Sequence, residues 1–171
     1  MAKIEIEGFE SYLTQLRALK ADAVKICKAV VFPGANVLAA KLRAETEALP
    51  TITDAQARNN YRNGVVNAAL SDSQKAGLLE SFGISPIARA KGGAIQCSVG
   101  FSGYNGVVTR KFRTGQPNPE VARSLNKGTS YLKRNAFATR AVNKARAEAI
   151  EAMKAEADAQ IQRIMNENET G

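Results

Sequence analysis

From Ala136 to Asn166 the chain contains neither glycine nor proline, and alanine, glutamate, lysine and arginine dominate. Such a run has one good conformation, a single long α-helix of about 45 Å. Phe137, Ala141, Ala145, Ala149, Met153, Ala157, Ile161 and Ile164 fall mostly four apart and form one apolar stripe. Its residues are mostly small, so a second helix could approach closely. The stripe keeps no strict heptad, so no coiled coil is expected. The stripe is expected to cover the domain's own sheet, or to pack against the same helix in a neighbouring subunit.

Lys3-Ile4-Glu5-Ile6-Glu7 alternates charged and apolar residues and predicts a short strand before Gly8. Phe9, Leu13, Leu16 and Leu19 recur at helical spacing, extended by Val24 and Cys27. Pro33-Gly34 predicts a break or kink, with a second helical run over Val37–Leu49 ending at Pro50. Thr53 with Gln56 resembles a capping box and predicts a helix over Asp54–Leu70. Ser71 and Ser73 precede one or two further helical turns at Gln74–Leu79.

The period then changes from helical to twofold. Ile95, Cys97, Val99 and Phe101 alternate with polar or small residues, as in a strand with one buried face. Gly92-Gly93 before it and Asn105-Gly106 after it suit tight hairpin turns. Val107–Arg113 alternates again, with Val108 and Phe112 opposite Lys111 and Arg113. A three-stranded antiparallel meander over Ile84–Arg113 is expected, its last hairpin (103–115) protruding as a basic arm. Asn118-Pro119-Glu120 predicts a helix start with Asn118 as N-cap, and Gly128 its end. At 171 residues one domain is expected. The fold class is α+β, with a small antiparallel sheet of three to four strands packed on several helices, the C-terminal one long.

Composition removes whole classes of chemistry. Histidine is absent, which takes away the commonest general base and metal ligand. Cys27 and Cys97 follow no ligand spacing and are expected to be buried and reduced. No glycine run matches a phosphate-cradling loop, and the acids fall in solvated helical patterns. The longest charge-free stretch, Ala29–Ala40, is broken by Pro33, Gly34 and Asn36, so no membrane segment is expected. An enzyme is not expected, nor a cofactor.

The net charge of +8 is local. Ser85–Arg134 holds nine basic residues (Arg89, Lys91, Arg110, Lys111, Arg113, Arg123, Lys127, Lys133, Arg134) against Glu120. That leaves 15 basic residues (24 less 9) and 15 acidic ones (16 less 1) elsewhere. Arg110-Lys111-Phe112-Arg113, with Tyr104 nearby, and Lys133-Arg134 after Tyr131 could contact phosphates and bases. A solvated hairpin tip, or a patch facing an acidic protein, explains the same residues.

Gly128-Thr129-Ser130 followed by Arg134-Asn135-Ala136-Phe137-Ala138-Thr139-Arg140-Ala141-Val142 resembles a passage of the head–tail joining, or tail-completion, proteins of siphophages, of the lambda minor tail protein Z type. In that family a short loop there delivers the long C-terminal helix. The run Lys25–Ala48 before Pro50 is similar to its N-terminal helix. The sequence departs from the family in an apparent insertion at Thr51–Ser73, and in Ala136-Phe137-Ala138, where the pattern has a Pro-Phe-Leu type of entry. The resemblance implies a structural virion protein made in the host cytoplasm. It implies a homo-oligomeric, hexameric ring at the head–tail interface that lets the genome through, with room for non-specific contact to its DNA. Its partners would be head connector or closure proteins and tail terminator or tail tube proteins. Arg110, Lys111, Phe112, Arg113, Arg123, Lys127, Lys133 and Arg134 are the expected contact residues. The alternative is a nucleic-acid-binding module using segment 85–134.

Overall fold

The computed structural model describes the backbone of residues 9–169 and the side chains of residues 19–167; the strand expected over Lys3–Glu7 lies outside them. Five helices and three two-stranded pairs follow in the order α1 (Phe9–Glu47), β1 (Thr51–Ile52), α2 (Asp54–Arg62), β2 (Leu70–Ser71), α3 (Asp72–Glu80), β3 (Phe82–Ile84), β4 (Ala88–Arg89), β5 (Ile95–Gln96), β6 (Val99–Phe101), α4 (Asn118–Lys127) and α5 (Phe137–Glu169). The class is α+β with a long C-terminal helix, as expected.

The stripe on α5 finds its partner in α1. The helices run antiparallel, with Lys41 paired to Glu148 at 2.8 Å and Glu45 to Arg140 at 2.9 Å and Lys144 at 2.6 Å. The Pro33-Gly34 break does not occur: α1 is continuous over 39 residues with Pro33 inside it. A methyl group at Gly34 would lie 2.6 Å from Met153 Sδ and 3.5 Å from Ala149 O, so α5 packs closely against this glycine. Proline forfeits one backbone hydrogen bond in α1, and the packing against α5 offsets that cost.

The core gathers at one end of this helix pair. Leu42 and Leu49 of α1, Leu70, Leu78, Val121, Leu125, Phe137 and Ala141 form one buried cluster, with Phe82, Phe101 and Leu132 against it. The α1 C-terminus has no basic residue in its last turn. Lys75 Nζ, from α3, instead donates to the carbonyls of Glu47 (2.7 Å) and Leu49 (2.8 Å). Asn126 Oδ1 of α4 likewise accepts from the amides of Ala138 and Thr139, which caps α5 from outside.

The hairpin that forms is Phe82–Phe101, built from β3 on β6 and, beyond an interruption at Ser85 and Ser98, β4 on β5. Gly92 and Gly93, with φ of 100° and 89°, turn its tip as expected. The third strand expected over Val107–Arg113 is absent, and 103–117 is a loop closed at its base by Asn105 N to Gln116 O and Asn118 N to Gly103 O. Asn105 has no positive φ, so Asn105-Gly106 cannot make the tight turn the alternation suggested. Three other expectations change. Helix α2 ends at Arg62, before Gly64 at φ 66°, which frees Leu70 for the parallel pair with Thr51. Asn118 is buried and caps nothing; its Nδ2 donates to Gly77 O, Ser81 Oγ and Ser102 O. The thiols are unpaired, but Cys27 is exposed.

Glu45 holds the helix pair electrostatically. The Lys144 hydrogen bond, then Arg140, keep its carboxyl below the usual glutamate range, against an opposing effect of burial. A depressed carboxylate pKa contributes stability above the unfolded value of about 4.3, lost as pH falls through the folded value. Glu45→Gln should therefore cost about 1 kcal/mol at pH 7, discounted for the exposure of both cations. Denaturant melts of the two proteins should converge as pH falls through the depressed folded-state pKa of Glu45.

Candidate interaction cleft

Helix α2 starts on Thr53, whose hydroxyl accepts from Gln56 N at 3.2 Å. No α2 residue is buried. Polar ties hold it instead: Asp54 accepts from Ser73 N at 3.3 Å and from the Ser73 hydroxyl. The Ser71 hydroxyl, then that of Ser73, hold the Asp54 carboxyl below its ordinary range. At the other end Asn60 Nδ2 donates to Asn67 Oδ1 at 2.8 Å. The Asn67 backbone in turn forms an isolated parallel bridge with residues 131–133, accepting from Lys133 N and donating to Tyr131 O. This stitching places Tyr61 on Tyr131, ring centroids 5.2 Å apart and tilted by 49°.

The opposite wall is the 103–117 loop. Thr109 and Phe112 close a turn at its tip, with Thr109 N donating to Phe112 O at 3.0 Å and Phe112 N to the Thr109 hydroxyl at 3.1 Å. Lys111 Nζ lies 5.0 Å from the centre of the Phe112 ring. Gln74 Nε2 reaches Gln116 Oε1 at 2.7 Å and ties the loop to α3. Between the walls lies an open cleft of about 1470 Å³, with Val121, Ser124 and Leu132 in its floor.

Arg58, Arg62, Arg110 and Lys111 line this cleft, and among the described residues none of them forms a side-chain ion pair. The two acids present, Asp54 and Glu120, are engaged by Ser73 and by Arg123 at 2.7 Å. The cleft is therefore electropositive, with three aromatic side chains at its edges. No group of three or more His, Cys, Asp or Glu residues lies together among the described residues.

The eight contact residues expected from sequence divide. Arg110, Lys111 and Phe112 form the loop wall of the cleft, whereas Arg113 is exposed outside its lining. Arg123 pairs with Glu120, and Lys127 is exposed in the last turn of α4. Lys133 and Arg134 are exposed in the connection to α5, where Gly128 abuts Arg134. Sequence reading missed Arg58, Tyr61 and Arg62. Their i, i+3, i+4 spacing after an N-cap places them on one helix face, and that signal was available. Tyr131 entered only as a neighbour of Lys133-Arg134.

A second surface lies on α1. Its Leu19–Glu47 stretch contains an 18-residue window of mean hydropathy 1.5, long and apolar enough by composition to cross a membrane, and only 17% of that window is buried. Val24 and Phe32 are 45% and 46% exposed there. The charge-free length used to expect no such segment is stricter than mean hydropathy, which tolerates an occasional lysine. No protein-family model, no curated protein and no solved structure matches this chain.

Proposed function

We infer that the chain is a non-enzymatic structural subunit that assembles with copies of itself into a ring, of the kind that joins or completes the tail in the neck of a tailed bacteriophage and lets DNA pass. The observation that carries assembly is the apolar stretch of α1. One face of this helix is covered by α5, but Val24 and Phe32 stay exposed; apolar surface left in water costs roughly 25 cal/mol per Å², and a second copy relieves that. The neck assignment rests on the Gly128–Val142 passage, which forms the loop and the first turns of α5.

Sedimentation velocity and negative-stain imaging of the purified chain test this reading. Closed rings, or oligomers that become rings with neck partners, are expected. Val24→Asp with Phe32→Asp should give monomers while Tm moves by less than about 2 °C, because both side chains are largely exposed in the single chain. A chain that stays monomeric at high concentration and with tail partners would sink the proposal. So would a chain that floats with lipid vesicles through α1 in place of self-associating.

A further inference from the structure

We propose that the cleft between α2 and the 103–117 loop binds single-stranded nucleic acid, a property that stands apart from the ring reading. Arg58, Arg62, Arg110 and Lys111 face the cleft from both walls; among the described residues none is in a close ion pair, and only Arg58 feels a neighbouring acid, Asp54. Tyr61 and Tyr131 are 63% and 57% exposed, so their rings are already solvated and available. Cations that track a phosphate backbone, alternating with rings on which bases stack, are the arrangement that holds a single strand without reading its sequence.

Two rival occupants fit less well. In a duplex the base faces are covered by their neighbours, so Tyr61, Tyr131 and Phe112 would have nothing to stack on, and only phosphates would be contacted. An acidic peptide would satisfy the arginines but gives exposed aromatic rings no planar partner. The ring pair is what favours nucleic acid. It is held in place by backbone pairing of Asn67 with residues 131–133, so the platform exists before a ligand arrives.

The test is fluorescence anisotropy of a labelled oligothymidylate of about 20 nucleotides with the full chain, at about 50 and 200 mM salt. Four phosphate contacts predict affinity about 50-fold weaker at the higher salt. Arg58→Gln with Arg62→Gln should weaken binding at low salt and roughly halve the salt slope. Tyr61→Ala with Tyr131→Ala should weaken binding about 10-fold or more and leave the slope unchanged, while Tyr→Phe at both positions retains affinity. Circular dichroism melts show whether each variant is folded, and the Phe pair keeps the test valid if the Ala pair is not. Absence of binding at low salt overturns the proposal. So does tighter binding of a duplex of the same length, or displacement of the oligonucleotide by polyglutamate with the Tyr→Ala pair as effective as wild type.

Discussion

Phe137→Ala should lower stability by about 3–5 kcal/mol, the usual cost of emptying a buried phenylalanine site. Phe137 is fully buried at the first residue of α5 and sits in the one cluster shared by α1, α3, α4 and α5. Its ring lies 6.2 Å from that of Phe101, which in turn meets Phe82 edge-on at 5.7 Å, so the substitution removes the link between hairpin and helices. Neighbours can collapse little into the space, because the next α5 turn offers only Ala141 and the helix start is fixed by Asn126. The measurement is urea unfolding, where the midpoint should drop at nearly constant slope. Val142→Ala, five residues along the same helix but 48% exposed, should change stability by less than about 0.5 kcal/mol. Equal effects at the two positions would mean that the core is not where it is described.

What the sequence disclosed and what it hid follow one distinction. Signals that act within a few residues were readable: the Gly-free, Pro-free run became α5, Gly128 ended α4, Gly92-Gly93 turned a hairpin, and Thr53 began a helix. The failures are places where a distant segment decides. Pro33-Gly34 reads locally as a break or kink, yet the helix runs on through it, and Gly34 is where Met153 of α5 fits against α1, an approach only a glycine permits without rearrangement. Asn118 reads as an N-cap, yet its amide is drawn into the core by three acceptors from α3, its C-cap and the residue after β6. The 107–113 alternation reads as a strand, yet the loop base is pinned by backbone bonds at 103–105 and 116–118 that leave its middle no strand to pair with.

The cleft shows the same division. Arg110-Lys111-Phe112 stood out because the residues are adjacent. Arg58, Tyr61 and Arg62 belong to a segment read as a helix within an apparent insertion, and the Asn67–Leu132 bridge that brings them beside Tyr131 joins residues 65 positions apart. Adjacent charge is visible in a sequence, whereas a site assembled from three separate segments is not.

Gly115→Ala should destabilise the chain by about 3–4 kcal/mol. Gly115 is buried and has a φ of 107°, a conformation that costs an alanine strain by itself. The added methyl would also overlap the carbonyl oxygen of Asn105, a backbone atom that cannot rotate away, and would lie 3.6 Å from Tyr104 Cβ. Relieving the overlap requires the two sides of the loop base to separate, which strains the bond from Asn105 N to Gln116 O. Asn105 is itself packed against Gly77 of α3, so the displacement would be felt in the core and would not stay in the loop. Gly106→Ala provides the contrast: nothing lies within 4 Å of its added methyl and its φ is not positive, so a cost below about 1 kcal/mol is expected. Because Arg110 and Lys111 ride on this loop, Gly115→Ala should also move one wall of the cleft. At a temperature where the variant remains folded, it should weaken oligothymidylate binding, whereas Gly106→Ala should leave it near the wild-type value.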